Sequence, residues 1–427
     1  MQLFFYIFFL WLYRTGVRIV SPWNQKARLW LRGRKNIMHE ISALRFPEGK
    51  PRIWMHCASL GEFEQGRPII EKLRKDNPEL LVVISFFSPS GYEIKKNYTG
   101  ADHVLYLPED SERNARAFID AIQPKMVLWI KYEYWYFYLR ELKTRNIPVL
   151  LVSAIFNTSQ PFFKWHGTLY RSMLTCFSRI FVQNEESKKL LGNLDLGALT
   201  QVSGDTRFDR VVEIAGSFEK LPLIESFCQD SKVIVAGSTW DEDEEELDHY
   251  ANTHPDIKFI IAPHEIDEGH LRDIESIFQR CVRYSALENY MREQEPKDIS
   301  SNKNKNVLLV DNIGMLARLY YYATVSYVGG GFGEDGVHNV LEAAVYGKPV
   351  IYGPVIEKYL EAVELADTGG GIIIDSAIEA ELAFDRLFSD PTEYSQCCQA
   401  AKNYVYAKKG ATAKLVQYIY ENRLLTS

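Results

Sequence analysis

Residues 329–354 read GGGFGEDGVHNVLEAAVYGKPVIYGP, and this stretch predicts a glycine loop, a helix and a strand that follow an earlier strand over 325–328. The three consecutive glycines leave backbone N–H groups that a charged ligand can approach without obstruction from side chains. We expect the helix to begin near Asn339 and to end at Gly347, with its positive N-terminus facing the same ligand. The arrangement favours an anionic group, and we interpret it as the binding site of a nucleotide-sugar phosphate.

The same alternation of short apolar runs with amphipathic stretches continues along the chain and is typical of parallel sheets covered by helices. In the first half, strands are predicted at 53–57, 81–86, 103–107, 126–130, 149–153 and 180–183. In the second half, they are predicted at 232–236, 259–262, 307–310, 325–328, 350–352 and 371–374. We therefore expect an α/β protein with two doubly wound, Rossmann-like domains facing a cleft.

The predicted domains follow from where these two series of strands begin and end. They comprise an anchor over 1–35, a first Rossmann-like domain over 36–215, a second one over 225–390, and C-terminal helices over 391–427 that pack back on the first domain. The polar segment 291–306 is predicted to be a surface loop inside the second domain.

Composition narrows the classes of function. The chain has 427 residues, 46% of them hydrophobic, which is enough for two domains with sizeable cores. A net charge of -7 gives no support to general nucleic-acid binding. The six cysteines lack CxxC spacing, so neither a disulfide framework nor a zinc site is indicated, and we expect a reducing compartment.

The N-terminus is an unbroken apolar and aromatic run, LFFYIFFLWLY over 3–13. It has no preceding Lys or Arg and no following cleavage site, so it is not a typical signal peptide. It is also shorter than the roughly 20 residues that span a bilayer. Seven basic residues follow it before the first acidic one, Glu40, which suits an anionic membrane surface. We expect a monotopic anchor on the cytoplasmic face of the inner membrane; a tilted span and a buried helix are the alternatives.

Two glutamates follow predicted strands of the first domain. The sequence SLGE at 59–62 leads from a strand through a turn into a helix, and Glu62 there is a candidate general base. We expect the helix dipole and free N–H groups to lower its pKa and keep it ionised. Helix capping is the alternative role. Glu133, among Tyr and Trp side chains, is predicted to reach the same edge of the sheet; a solvent-exposed helix start is its alternative.

Further candidates for ligand binding lie in three loops. Ser59, Gly61 and Arg207 are predicted to bind the acceptor or a phosphate, although a salt bridge from Arg207 to Asp205 or Asp209 is almost as plausible. Gly237, Ser238 and Thr239 are predicted to form a small oxyanion nest after the first strand of the second domain.

Three other features have a structural explanation as well as a functional one. The acidic run 241–246 resembles a DxD metal motif, but acidic side chains are favoured in a first helical turn, so we predict no metal there. His264 ends a strand, where it either touches the nucleotide or serves the fold. Asn339 and Glu342 have the spacing of a helix cap pair, and Glu342 could equally accept ribose hydroxyls.

Taken together and in order, these motifs resemble the 3-deoxy-D-manno-octulosonic acid (Kdo) transferase family of lipid A synthesis. The segments that carry the resemblance are 30–35, 59–62, 133–135, 183–186, 204–209, 237–239, 338–339, 341–342 and 347–349. The resemblance implies a glycosyltransferase B-type fold, a CMP-Kdo donor, a lipid A precursor as acceptor, and inverting transfer to a sugar hydroxyl without metal or cofactor.

The resemblance also assigns roles to individual residues. It implies that Glu62 is the general base and that Glu133 is a second required carboxylate. It implies a CMP site formed by Gly237, Ser238, Thr239, Gly329, Gly330, Gly331, Asn339 and Glu342. The chain departs from the family at Pro263-His264-Glu265, where an Arg-His pair is usual after the proline, and at Lys131, Tyr136, Val337 and Val340. These departures concern donor-site details and acceptor preference.

Two alternatives differ from this interpretation. The first keeps the fold and changes the substrate, giving a UDP-sugar transferase or a nucleotide-sugar epimerase. The second is a catalytically inactive, membrane-associated module that binds lipid or nucleotide.

Overall fold

The computed structural model describes residues 1–292 and 304–425, and the chain divides into two compact units. Unit 1 comprises Met1–Arg210 together with Lys409–Ser427, and unit 2 comprises Val211–Lys408. Most of the predicted surface loop, residues 293–303, lies outside the described residues.

Unit 1 contains a seven-stranded parallel sheet. Its strands are β1 (Arg52–Cys57), β2 (Leu81–Phe86), β3 (His103–Tyr106), β4 (Met126–Ile130), β5 (Val149–Ala154), β6 (Arg179–Val182) and β7 (Thr200–Val202). They lie in the order β3-β2-β1-β4-β5-β6-β7, which is a doubly wound topology. The chain reverses its direction of travel across the sheet between β1 and β4.

Helices surround this sheet because its strands are apolar on both faces. The helices are α1 (Gln2–Val20), α2 (Gln25–Arg34), α3 (Ile37–Ala43), α4 (Leu60–Asp76), α5 (Pro89–Lys95), α6 (Glu112–Ile122), α7 (Tyr136–Thr144), α8 (Thr168–Leu174), α9 (Glu185–Gly192) and α10 (Thr206–Gly216). Successive strand residues face opposite sides, so Trp54 and Val83 lie in one apolar cluster while Ile53 and Val82 lie in the other.

Unit 2 contains a second seven-stranded parallel sheet in the order β10-β11-β9-β8-β12-β13-β14. Its strands are β8 (Val233–Thr239), β9 (Lys258–Pro263), β10 (Cys281–Arg283), β11 (Val307–Leu309), β12 (Val325–Val328), β13 (Val350–Tyr352) and β14 (Gly371–Ile373). Its direction reverses between β8 and β12. Both sheets confirm the predicted α/β fold class of two doubly wound domains.

The helices of unit 2 alternate with these strands. They are α11 (Pro222–Cys228), α12 (Asp241–Thr253), α13 (Glu268–Ile277), α14 (Tyr284–Arg292), α15 (Leu316–Leu319), α16 (Leu341–Ala344), α17 (Leu360–Asp367), α18 (Ala377–Ser389) and α19 (Pro391–Ala407). The last helix, α20 (Ala411–Glu421), belongs to unit 1.

One predicted helix is much shorter than expected. The sequence predicted a helix from Asn339 to Gly347, whereas α16 is a single turn. The chain before it is held by two backbone bonds, from Val337 N–H to Val355 and from His338 N–H to Gly329. Those bonds prevent residues 337–340 from extending α16 at its N-terminus. The left-handed φ of Gly347 prevents its extension at the C-terminus.

The C-terminal tail is divided between the two units. The sequence predicted that all of 391–427 packs back on the first domain, but α19 packs on α17 and α18 of unit 2. Only α20 packs in unit 1, against α4. The carboxylate of Asp209 accepts bonds from the N–H groups of Gly410 (2.5 Å) and Thr412 (2.6 Å), and it thereby caps the start of α20.

Helix α1 lies along the body of unit 1. Its polar contacts there include Gln2 with His166 and Leu169, Tyr6 with Asp110 and Tyr136, and Arg14 with Glu109. The other side of the helix exposes aromatic and aliphatic side chains, including Phe4, Phe5, Phe8, Phe9 and Trp11. Among the described residues, α1 is the helix whose length and apolar composition would allow it to span a membrane.

Candidate active site

Two carboxyl groups of unit 1 lie where the sheet topology reverses. Glu62 follows β1 in the first turn of α4, and Glu133 follows β4 in the loop before α7. Because β1 and β4 are adjacent and parallel, their carboxyl ends share one edge of the sheet. Ligands of doubly wound sheets bind at this edge, outside the point of reversal.

The environment of Glu62 differs from the prediction. Its side chain is 7% exposed, and its Oε2 accepts a hydrogen bond from the Ala58 N–H. Burial raises the pKa of Glu62 to about 7; the bond from Ala58 lowers it and the charge of Glu133 raises it further. The expectation that the helix N-terminus lowers this pKa is therefore wrong, because the loss of solvation is the larger effect.

Glu133 lies among indole and imidazole rings. Its Oε2 accepts a bond from Trp135 Nε1 at 3.1 Å and lies 3.5 Å from Nε2 of His56. Burial raises the pKa of Glu133 to about 8, against the lowering effects of the Trp135 bond and the Arg34 guanidinium. The side chain is still 25% exposed, so it can be reached from solvent.

The structure adds His56 to this pair, a residue that was not predicted. It lies on β1 with 0% exposure, and its Nδ1 is 2.9 Å from the Ser85 hydroxyl of β2. The same hydroxyl accepts a bond from Trp54 Nε1 at 2.7 Å. Burial lowers the pKa of His56 to about 4, although the charge of Glu62 raises it, so the imidazole is neutral at pH 7.

Ser59 and Gly61 precede Glu62 in the same turn. Ser59 is the N-cap of α4, and its hydroxyl accepts a bond of 3.5 Å from the Glu62 N–H. A Cβ added at Gly61 would meet no protein atom within 4 Å. Packing within the described protein therefore does not require glycine there, and the surface beside Glu62 is open.

Arg207 forms one of the two contacts that the sequence suggested. Its Nε and Nη2 lie 2.9 and 2.8 Å from one carboxylate oxygen of Asp205, while Asp209 caps α20 instead. Burial raises the pKa of Asp205, but the charges of Arg207 and Lys131 outweigh it and lower that pKa to about 2. Asp205 is thus a buried, ionised partner that holds Arg207 in place.

The triple glycine of unit 2 lies at the second point of reversal, after β12. The N–H groups of Gly329 and Gly330 donate to protein acceptors, the Gly237 carbonyl at 2.9 Å and the Asp243 carboxylate at 2.8 Å. A Cβ on Gly329 would lie 2.4 Å from the Ser238 carbonyl, and one on Gly331 would lie 2.6 Å from a backbone nitrogen. Gly329 and Gly331 therefore allow close packing at the strand ends. The N–H groups of Gly329 and Gly330 are not the open donors that we expected.

The segment 237–239 ends the neighbouring strand β8. Ser238 has a φ of 55°, a left-handed conformation that is uncommon for a residue with a side chain. The Thr239 hydroxyl is buried and donates to Glu244 at 2.7 Å, so it is engaged within the protein. Within the described residues, the Ser238 hydroxyl has no such partner, and it is the polar side chain of the predicted nest that remains available to a ligand.

An aromatic group borders this edge of the sheet. His264 stacks on Trp240 with ring centroids 4.7 Å apart and on His338 at 4.4 Å. Trp240 Nε1 donates to Nε2 of His338 at 3.0 Å. Burial lowers the pKa of both histidines, that of His338 to about 4. Sequence reasoning found His264 but assigned no site role to Trp240 or His338; the Trp directly after Gly-Ser-Thr was the available signal.

Asn339 and Glu342 bond to each other through their side chains, but they are not the N-cap pair that their spacing suggested, because the N-cap of α16 is Val340. Asn339 Nδ2 donates to Glu342 Oε1 at 3.0 Å, and the Asn339 Oδ1 accepts from the Leu341 N–H at 3.3 Å. The pair thus orders the turn of α16 beside the triple glycine.

The acidic run at the start of α12 is used inside unit 2. Asp243 is buried and accepts bonds from Gly330 N–H, Trp240 N–H and the Tyr327 hydroxyl. Asp241 and Glu244 face Nε2 of His270 at 3.1 and 2.9 Å. This group of three has the ligand types of a metal site, and an ion pair with a protonated His270 accounts for the same distances.

Comparison with known proteins points to one family. A family model described as 3-deoxy-D-manno-octulosonic-acid transferase (kdotransferase) matches residues 31–210, which include Glu62 and Glu133. A 3-deoxy-D-manno-octulosonic acid transferase of Haemophilus influenzae is 24% identical over 386 residues, 87% of each chain. One from Aquifex aeolicus is 26% identical over 352 residues, covering 80% of this chain and 87% of that protein.

A longer relative and a solved structure extend the comparison. A bifunctional glycosyltransferase/methyltransferase of Fusobacterium nucleatum is 29% identical over 340 residues, 77% of this chain, which spans 50% of that protein. The UDP-GlcNAc 2-epimerase of Neisseria meningitidis, solved with UDP-GlcNAc, superposes with a TM-score of 0.62 at 18% identity, covering 87% of this chain and 100% of that one. This likeness shows a shared fold and confirms the glycosyltransferase B-type class; it carries no information on substrate.

Proposed function

The chain is a homologue of the Kdo transferases and a glycosyltransferase, and we propose that it moves Kdo from CMP-Kdo to a lipid A precursor with inversion. The reaction belongs to lipopolysaccharide core synthesis. The observation that carries the proposal is the pair of carboxyl groups at the point of reversal in unit 1, the buried Glu62 and the partly buried Glu133. Both lie in the segment that matches the family model.

Glu62 supplies the base in this proposal. As the acceptor oxygen bonds to the anomeric carbon of Kdo, the bond from that carbon to the CMP phosphate breaks and CMP leaves with the electron pair. The acceptor hydroxyl proton passes to the Glu62 carboxylate. A pKa of about 7 suits this role, since about half of the group is ionised at neutral pH and the carboxylate is basic enough to accept a proton. Release of CMP as a phosphate monoester needs little assistance from an acid.

Unit 2 holds the donor in this proposal. Ser238 offers a hydroxyl at the end of β8, and the rings of Trp240, His264 and His338 offer flat surfaces on which a base can stack. Gly331 and the Asn339–Glu342 pair border the same edge. Neutral histidines can donate a hydrogen bond to a phosphate oxygen without forming a fixed ion pair, which allows CMP to leave after transfer.

We infer that α1 lies on the membrane surface and does not cross it. Its contacts with the body of unit 1 run from Gln2 to Arg14, a helical distance of about 18 Å. A helix inserted across the bilayer would have to break those contacts or carry charged protein into the hydrocarbon. The exposed Phe side chains face away from unit 1, and exposed basic residues follow at Arg18, Lys26 and Arg28. This arrangement suits the anionic cytoplasmic face of the inner membrane.

To test the proposal, the purified chain is incubated with CMP-Kdo and a lipid A precursor. The mass of the lipid product is then measured by mass spectrometry. A mass increase of one or more Kdo residues, with release of CMP, is expected. Parallel reactions with UDP-GlcNAc test the epimerase and UDP-sugar alternatives. Turnover of UDP-GlcNAc without Kdo transfer would reject the proposal, and binding of CMP without any turnover would favour the inactive binding module.

A further inference from the structure

We propose that His56 is a positioning residue that keeps Glu133 protonated, so that Glu62 is the carboxyl group that ionises and accepts the proton. This inference rests on the proposed function and assigns a division of labour to its two glutamates. It starts from the hydrogen bonds around one fully buried imidazole, which lies between the Ser85 hydroxyl on one side and Glu133 on the other.

The donors around His56 fix its tautomer. Trp135 Nε1 lies 3.2 Å from His56 Nε2 and 3.1 Å from Glu133 Oε2, so its one N–H, which can only donate, is shared between these two acceptors. Nε2 therefore presents a lone pair, and in the neutral ring the proton is on Nδ1. There it donates to the Ser85 hydroxyl oxygen, which has a second lone pair for the bond from Trp54.

This tautomer determines what Glu133 can do. Glu133 Oε2 lies 3.5 Å from the Nε2 lone pair, and an ionised carboxylate at that distance would place two acceptors face to face. A protonated Glu133 removes the conflict, because its O–H points to Nε2 and shares that acceptor with Trp135. The burial of His56 and the partial burial of Glu133 strengthen the preference, since a neutral carboxyl beside a neutral imidazole leaves no unpaired charge next to the interior.

The protonation state of Glu133 affects the ionisation of Glu62 through electrostatic repulsion. Because an ionised Glu133 would raise the pKa of Glu62, a protonated Glu133 leaves Glu62 the stronger acid of the pair. The other titratable groups that interact electrostatically with these three side chains include Arg34, Tyr13, Cys57 and Tyr134. The Arg34 guanidinium favours ionisation of Glu133, and the lone pair of His56 opposes it.

Two matched variants test the two sides of the ring. In His56→Asn the amide overlies Nδ1, so the Ser85 contact remains and the acceptor for Glu133 is lost. In His56→Gln the amide overlies Nε2, so an acceptor for Glu133 remains. The measurement is kcat/KM for Kdo transfer between pH 5.5 and 9.5, with the melting temperature of each variant as a check on folding.

For His56→Asn we expect the rising limb of the profile to move to higher pH by about 0.5 to 1 unit, because Glu133 ionises more readily and its charge opposes ionisation of Glu62. The rate lost at pH 7, about 2- to 5-fold, returns at pH 9. His56→Gln moves the limb less. A folded His56→Asn whose limb stays in place or moves to lower pH overturns the inference.

A second measurement does not depend on those variants folding. In the unmodified protein labelled with ¹⁵N-histidine, the His56 resonance, assigned by its perturbation in Ser85→Ala, is expected to show a protonated Nδ1 and an unprotonated Nε2 at pH 7. An Nε2–H tautomer or an imidazolium would reject the inference. Absence of Kdo transfer by the unmodified protein would instead reject the proposed function, so the two failures are separable.

Discussion

Burial decides the charge of Glu62. Its position in the first turn of α4 is the position that a sequence argument links with a low pKa, and the Ala58 N–H does stabilise the carboxylate. The side chain is nevertheless enclosed, and the loss of solvation raises the pKa to about 7. Local sequence could place the glutamate at the helix start, but it could not show the long-range packing that encloses it.

Glu62→Gln should reduce kcat by roughly 10²- to 10⁴-fold, which is the usual contribution of a positioned general base. The amide has the same shape and can still accept from the Ala58 N–H, so the fold is expected to persist. In the unmodified enzyme, kcat/KM should rise with pH through about 7, as Glu62 ionises. Transfer assays with CMP-Kdo measure both, and near-normal transfer by a folded Glu62→Gln would show that another group is the base.

The same substitution should stabilise the protein at alkaline pH. The folded pKa of Glu62, about 7, lies above the ordinary value of 4.5, so the folded state binds the extra proton between those values and stability falls as pH rises through them. Glu62→Gln removes this cost. At pH 8 we expect the variant to melt at a higher temperature than the unmodified chain, with an unfolding free energy larger by on the order of 1–3 kcal/mol. Near pH 4.5 the two proteins should melt at nearly the same temperature. Equal melting temperatures at pH 8 would contradict the raised pKa.

At the scale of secondary structure, apolar runs were predictable, and short elements that contain polar residues were not. Every predicted strand exists, because runs such as 81–86 are apolar apart from one serine and are buried on both faces. The strands β7 (TQV) and β10 (CVR) contain polar residues, so no apolar run marks them as one marks the equally short β13 (VIY). They form because a neighbouring edge offers backbone partners. The predicted helix over 339–347 is only a single turn, because the backbone of the preceding segment is bonded to distant parts of the chain and cannot adopt the helix.

The cap of α20 is a testable element. Asp209→Ala removes the acceptor for the N–H groups of Gly410 and Thr412 and should destabilise unit 1 by about 1 kcal/mol. Asp209→Asn retains an oxygen acceptor and serves as the matched control, with a smaller loss. Thermal melting of both variants measures the difference. If the two variants melt together at the temperature of the unmodified chain, the cap does not hold α20.

The exposed face of α1 can be tested against another exposed apolar pair. Phe5→Ser with Phe9→Ser should weaken binding to vesicles containing anionic lipid by at least about 10-fold, because each Phe contributes on the order of 1 kcal/mol or more when buried. The matched control is Ile378→Ser with Leu382→Ser on α18, which are equally exposed and should leave binding unchanged. Vesicle sedimentation measures both. An equal loss in the two double variants would remove the special role of α1.

At the scale of the molecule, each unit repeats one principle: the candidate site lies where the direction of winding reverses. The sequence predicted this for Glu62 and for the triple glycine because both follow apolar runs that end in glycine-containing loops. It did not predict His56 or the role of Asp243. His56 lies inside a strand, where an inward-facing polar residue cannot be told from its apolar neighbours by pattern, and the bond from Gly330 to Asp243 joins residues 87 positions apart.

The assignment of the donor to unit 2 and the base to unit 1 predicts that the two functions can be lost separately. Trp240→Ala should weaken CMP binding by about 10-fold, because it removes the ring that stacks on His264 and donates to His338. Trp165→Ala, at a tryptophan that is 91% exposed in unit 1, is the matched control and should bind CMP normally. Glu62→Gln should also bind CMP normally while transfer is lost. Titration calorimetry with CMP measures all three. Full CMP binding by Trp240→Ala would show that the donor site does not include this ring. Loss of CMP binding in Glu62→Gln would also contradict the assignment, because a base that acts only on the acceptor does not contact the nucleotide.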